Sequence, residues 1–84
     1  MAEELAGIIT HYFGNIHVAV IKLESELTKG DSVHIKGYTS DFTQTVESMQ
    51  LNQQDIDVGQ RGQEIAIKVK EQARVSDKVY KVAE

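Results

Sequence analysis

The stretch Glu64-Ile65-Ala66-Ile67-Lys68-Val69-Lys70 decides the fold class. Its large apolar side chains fall at 65, 67 and 69, and its charged ones at 64, 68 and 70. A repeat of two belongs to a strand, whose successive side chains leave by opposite faces, whereas a helix would space the apolar positions at about 3.6. The β-branched residues that fill the apolar positions also prefer a pleated surface. Working outward, Val33 and Ile35 alternate with Ser32, His34 and Lys36 in the same way. Leu5 to Phe13 and Ile16 to Leu23 are apolar on both parities, the pattern of strands covered on both faces.

Turn residues punctuate these runs. Gly14-Asn15 predicts a two-residue hairpin that pairs Phe13 with Ile16, Tyr12 with His17 and His11 with Val18. Lys29-Gly30-Asp31, Gly37, Gly59 and Gly62 break the chain again, and Ser76-Asp77 precedes a last strand from Lys78 to Val82. Between Thr43 and Ile56 two readings compete. Val46, Met49, Gln53 and Ile56 would make a helical stripe, while Thr43, Thr45, Glu47, Met49 and Leu51 would make one face of a strand. The β-branched start favours the strand, with residues 52–58 as a loop or single turn. The expectation is an all-β domain of six or seven short antiparallel strands, closed into a small barrel or packed as a sandwich. Closure would remove the exposed edges at which small sheets aggregate.

With 84 residues, the chain is expected to form one domain, 1–84, whose residues 1–4 form a loose tail. A monomer of this size is feasible without staples, and sequence does not fix the oligomeric state. There is no cysteine, which excludes a disulfide scaffold, a thiolate metal site and a cysteine nucleophile. The longest apolar run, Val18 to Ile21, is far short of the roughly 20 residues a membrane helix needs. Met1-Ala2-Glu3-Glu4 is acidic where a signal peptide would be basic. A cytoplasmic protein without membrane association is expected.

Catalytic chemistry finds few candidates. On the predicted hairpin register His11 and His17 face opposite ways, so they do not converge on a metal ion. No serine sits in a glycine-flanked elbow, and Asp55 and Asp57 read as turn formers. No phosphate-binding glycine loop is present. The expectation is a protein that is not an enzyme and uses no cofactor and no metal. Phe13 and Phe42 are expected in the core, with Tyr12 and Tyr38 beside glycine turns.

Charge is uneven. Net charge is −4, yet residues 60–84 carry Arg61, Lys68, Lys70, Arg74, Lys78 and Lys81 against four acids. Strand alternation turns Lys68 and Lys70 away from Ile65, Ile67 and Val69, with Arg61 at the preceding turn and Arg74 at the following one. Arg61, Lys68, Lys70, Arg74 and Tyr38 are therefore the candidate contact residues for RNA or a protein partner.

The run Leu27-Thr28-Lys29-Gly30-Asp31-Ser32-Val33-His34-Ile35-Lys36-Gly37 resembles the L-x-x-G-D-x-V-x-I-x-G signature of the second domain of translation GTPases, elongation factor Tu among them. Thr45 to Gln50, Val58 to Ile67 and Ser76 to Tyr80 resemble the strands that follow in that domain. The resemblance implies a closed β-barrel of the translation-protein type in a stand-alone elongation factor-like protein. It further implies a binding module without a GTPase domain that contacts rRNA, tRNA or a translation-associated protein. Gln50 stands where that family places a glutamate against the tRNA terminus. A similar barrel serves a collagenase-like peptidase family as an accessory C-terminal domain. The alternative function is thus a protein-interaction barrel for a separately encoded peptidase-like or GTPase enzyme.

Overall fold

Buried and exposed residues alternate through the strands as the period of two requires. Ile65 and Ile67 are buried while Glu64 and Lys68 are exposed, and Val33 and Ile35 are buried between outward Ser32, His34 and Lys36. The computed structural model describes residues 3–38 and 40–82. Its ten strands are β1 (Glu3–Phe13), β2 (Val18–Leu23), β3 (Leu27–Thr28), β4 (Ser32–Lys36), β5 (Asp41–Thr45), β6 (Met49–Leu51), β7 (Gln54–Ile56), β8 (Val58–Gly59), β9 (Glu64–Lys68) and β10 (Lys78–Val82). Eight form one antiparallel sheet in the order β5-β4-β10-β1-β2-β9-β6-β7, and β3 pairs with β8. No helix among the described residues is long and apolar enough to cross a membrane.

β1 explains its own two-sided apolarity. Its residues 3–8 pair with β10 and its residues 7–13 pair with β2, with register shifts at residue 6 and again at residue 10. One strand thereby belongs to two ladders, and the bulges let it bend from one to the other. Ala6 and Ile9 enter the core beside Ile21, Leu23, Ile35, Ile65, Ile67 and Val79, all almost fully buried. Gly7 sits where the ladders overlap. A Cβ there would lie 2.5 Å from both Ile21 Cγ2 and the Lys22 carbonyl oxygen, so only glycine lets β2 approach.

Several expectations change. The sheet is all-β and antiparallel as read, but it has more strands than six or seven, and the closed barrel is not found. The backbone ladder is open, with β5 at one end and β7 at the other. On its β4 side the ladder runs one pair further, with Val46 N–H donating to the Asp31 carbonyl (2.8 Å) and the Val46 carbonyl accepting from Gly30 N–H (2.8 Å). On its other side no backbone ladder joins β5 to β9 among the described residues. The Gln44 side chain spans the gap instead. Its Nε2 donates to the Lys68 carbonyl and its Oε1 accepts from Lys70 N–H, both at 2.8 Å, as a neighbouring peptide group would.

The hairpin turn has four residues rather than two. Phe13 pairs with Val18, Tyr12 with Ala19 and His11 with Val20, and His17 takes a left-handed φ of 55°. Phe13 consequently leaves the core and is about half exposed, whereas Phe42 is buried as expected. Residues 52–58 are not a simple loop. Asn52 and Gln53, both at positive φ, turn the chain from β6 into β7, and β8 follows. Glu3 and Glu4, expected in a loose tail, pair with Val82 and Lys81; residues 1 and 2 lie outside the described residues.

Replacing Gly7 by alanine is expected to cost about 1–3 kcal/mol, the usual penalty for overpacking. The urea midpoint of unfolding measures it. An unchanged midpoint would mean that β1 and β2 are free to separate at this crossing.

Candidate interaction surface

The strand directions sort the five sequence-chosen residues into two groups. β1 rises from Glu3 to Phe13, and the antiparallel pairings then place Phe13, the start of β2, the end of β9, the start of β10 and the end of β4 at one end of the sheet. Three connections crowd this rim and are tied together. Val69 N–H donates to the His17 carbonyl (2.8 Å), and Ser76 N–H donates to the Ile9 carbonyl (2.8 Å). The buried Asp77 carboxylate accepts from Arg74 N–H (3.0 Å) and fills the space beside Gly37, where any Cβ would overlap it. Tyr38, Lys68 and Arg74 belong to this rim, whereas Lys70, just past β9, turns toward β5, its N–H bonded to Gln44 and its side chain beside Ser32 at the start of β4. Arg61 does not belong to it either. It lies in the Gln60–Gln63 turn, whose Gly62 N–H donates to Leu23 (2.9 Å), at the opposite end of β9.

The rim carries features that the sequence reading missed. Phe13, Ile16 and Val75 are more than half exposed and Tyr38 is fully exposed, so four of the five exposed large apolar residues among the described ones lie here. His11 stacks on Phe13 with ring centroids 6.4 Å apart. The corrected four-residue turn is the signal that would have found Phe13 and Ile16, because it leaves Phe13 at the last pair of the hairpin and Ile16 in the turn beyond it. Lys70 borders a shallow recess of about 460 Å³ with Ser32, Thr43, Gln44, Thr45 and Glu47. Lys68 borders a second, of about 170 Å³, with Val18, Ser48 and Gln50. Among the described residues the side chains of Lys68, Lys70 and Arg74 form no ion pair, whereas Lys81 is held by Asp31 (3.6 Å) and the Glu26 carbonyl (3.2 Å).

A second cluster lies on the outer face. His34 of β4 is hydrogen-bonded through Nδ1 to Glu3 of β1 (2.7 Å) and through Nε2 to Asp41 of β5, with Tyr80 of β10 tilted beside it at 6.5 Å. The Asp41 and Glu3 carboxylates hold the imidazole protonated above its usual range, against a smaller opposing effect of burial. In return the His34 hydrogen bond holds the Asp41 carboxyl below its usual range. Both ring nitrogens are engaged, so His34 has no lone pair to offer a metal or a substrate. Asp41 was legible as a diagonal neighbour on the next strand; Glu3 reaches across β10, which no local pattern shows. Among the described residues no group of three or more histidines and acids is placed to hold a metal ion.

No protein-family model matches the chain. It is 30% identical over 79 residues to an uncharacterized protease of Methanocaldococcus jannaschii, covering 93% of this chain and 19% of that protein. It is 40% identical over 72 residues to a collagenase of Porphyromonas gingivalis, covering 83% of this chain and 20% of that protein. The chain thus spans about a fifth of the length of the curated relatives it matches. Its fold is that of the C-terminal domain of a Geobacillus thermoleovorans protein described as a U32 peptidase. That domain superposes with a TM-score of 0.89 over 95% of this chain and 93% of the other, at 23% identity. These relatives overturn the resemblance to translation factors. The shared strand-and-turn motifs are those of small antiparallel sheets in general, and the elongation factor-like, translation-linked and RNA-binding assignments fall with it. The likeness of this chain is to proteases and to the C-terminal domain of one.

The Glu3–His34–Asp41 bridge sets a pH dependence of stability. The raised His34 pKa adds stability that is complete below the ordinary imidazole value of 6.5 and is lost as pH rises through the folded value. The lowered Asp41 pKa adds stability that is present above the ordinary value of 3.8 and is lost as pH falls through the folded value. Melting temperature is therefore expected to be highest between these limits and to fall on the alkaline side. His34→Gln should flatten that alkaline fall. An alkaline profile unchanged in the variant would remove His34 from this role.

Proposed function

We propose that the chain is a non-catalytic accessory domain of a peptidase, acting with a catalytic body that lies outside these 84 residues. The observation that carries this reading is one of extent. The chain matches nearly the whole of one C-terminal peptidase domain but only a fifth of its protease and collagenase relatives. Peptide hydrolysis would then reside in the remaining four fifths. Within the chain, the best-placed titratable side chain, His34, has both nitrogens committed to carboxylates, which suits a structural brace rather than a general base. Exposed apolar residues gathered on one rim suit a domain that works by contact.

A graft tests the proposal. This chain replaces the matching segment of the Porphyromonas gingivalis collagenase, and gelatin hydrolysis is compared with the parent and with a deletion of that segment. The graft is expected to stay within about tenfold of the parent, equivalent to about 1.4 kcal/mol, while the deletion loses more. The isolated chain is expected to release no peptide ends. Turnover by the isolated chain, or a graft no better than the deletion, would sink the reading.

A further inference from the structure

We propose that the gap between β5 and the end of β9 receives one extended segment of another polypeptide, which enters as a strand and displaces the Gln44 side chain. The β5 wall follows from hydrogen-bond parity. In an antiparallel ladder, alternate residue pairs exchange backbone bonds. The β4–β5 register continues at both ends into bonded pairs, with Gly37 N–H donating to the Ser40 carbonyl (2.7 Å) and Val46 N–H to the Asp31 carbonyl (2.8 Å). Phe42 and Gln44 are therefore bonded to β4, whereas Asp41, Thr43 and Thr45 turn their N–H and C=O groups away from it. Among the described residues no strand takes those groups up, and all three residues are exposed. The other end of the sheet offers less. In β7 only Asp55 turns outward, and the Asp57 carbonyl beyond it already accepts from Lys29 N–H (2.8 Å).

The facing wall is the Lys68 carbonyl and the Lys70 N–H, held by Gln44 Nε2 and Oε1 at 2.8 Å each. These two groups flank Val69, and a single residue of a parallel strand bonds its neighbour in that way. Gln44 thus stands in for one residue of a strand running parallel to β9. Alternation through the sheet makes β9 and β5 antiparallel, so a strand with that direction is antiparallel to β5. Both walls accept it.

Peptide groups on the two walls commit the occupant to polypeptide. Their facing one another commits it to a lone strand, because a second folded copy offering its own sheet edge would drive the strand behind that edge into residues 68–70. The gap closes where β6 pairs with β9 at Met49 and Ile67 and opens toward Asp41, so its β5 wall is five residues long. Side chains of the incoming strand leave by two faces. One set meets Phe42, Val46 and Val69 of the core, and the other lies over the recess of about 460 Å³ with Thr43, Thr45, Glu47 and Lys70. Small apolar residues alternating with polar ones fit those two surroundings. The proposal stands apart from the accessory-domain reading, since it uses only groups of this chain.

Fluorescence anisotropy of the full 84-residue chain tests this with a labelled, end-capped pentapeptide of alternating threonine and valine. Binding is expected. The same peptide N-methylated at alternate residues should bind about tenfold more weakly or worse, because strand addition rests on main-chain hydrogen bonds. Thr43→Pro removes an outward N–H from an edge strand, where proline is tolerated, and should also weaken binding by about tenfold or more. Gln44→Ala removes the competitor for two hydrogen bonds and should tighten binding by about threefold or more. A Gln44 that served only the fold would not move affinity in that direction. Circular dichroism verifies that each variant is folded, and the N-methylated peptide decides the matter if Thr43→Pro is not. Absence of binding, equal affinity for the N-methylated peptide, undiminished binding by folded Thr43→Pro, or no tightening by folded Gln44→Ala would each overturn the proposal. So would a dimer in sedimentation that Thr43→Pro dissolves, which would make a second copy the occupant.

Discussion

Because β1 is hydrogen-bonded to β10 over its first half and to β2 over its second, everything else in the fold is positioned by how that strand bends. Two bulges and the absence of a side chain at Gly7 allow the bend. They also bring Ala6, Ile9, Ile21 and Leu23 into one buried cluster with the residues of β4, β9 and β10. A small domain depends on such economy. With a thin core, a strand that serves two ladders buries apolar residues on both of its parities and gains an area that a one-sided strand could not.

The same bend separates the ends of the molecule by character. At the entry end the chain is stitched down by the β3–β8 pair, by the Lys81 contacts with Asp31 and Glu26, and by the Asp31 carboxylate accepting from Thr28 N–H. At the rim the connections are fixed through their backbones, while their apolar and cationic side chains stay free. Rigid scaffolding under free side chains is how binding loops are commonly presented, since the loop pays little ordering entropy when a partner arrives.

How much of this was readable in the sequence differs by element. β4 and β9 were legible because each has one buried face, and the period of two then fixes both their existence and their orientation, while β10 was legible from the Ser76-Asp77 turn before it. The β1–β2 hairpin was legible as a hairpin but not in register. Gly14-Asn15 suits a two-residue turn, yet His17 accepts a left-handed conformation and lengthens it. Lys68 and Lys70 were placed outward correctly from alternation alone, whereas grouping Arg61 with them overlooked the length of β9. The Asp41 half of the His34 bridge lies within local reach as a diagonal pair, but its Glu3 half was not legible, because it crosses β10 in a sheet whose strand order no local pattern encodes. Closure failed for a related reason: the choice of a side chain, Gln44, rather than a row of peptide groups to span β5 and the end of β9 is one that no backbone pattern encodes.

That choice leaves a seam in the sheet with its own mechanical meaning. Between β5 and the segment after β9, one side-chain amide does the work that a row of peptide groups does elsewhere. A ladder yields bond by bond with its neighbours' support, but the Gln44 contact has no neighbour to share the load and sits partly exposed. Parting it would uncover only local backbone, because β4 and β5 stay anchored to β10 and to the core through Val33, Ile35 and Phe42. The seam is thus a point of local opening, at which the Lys70 amide would meet water while the core strands stay packed.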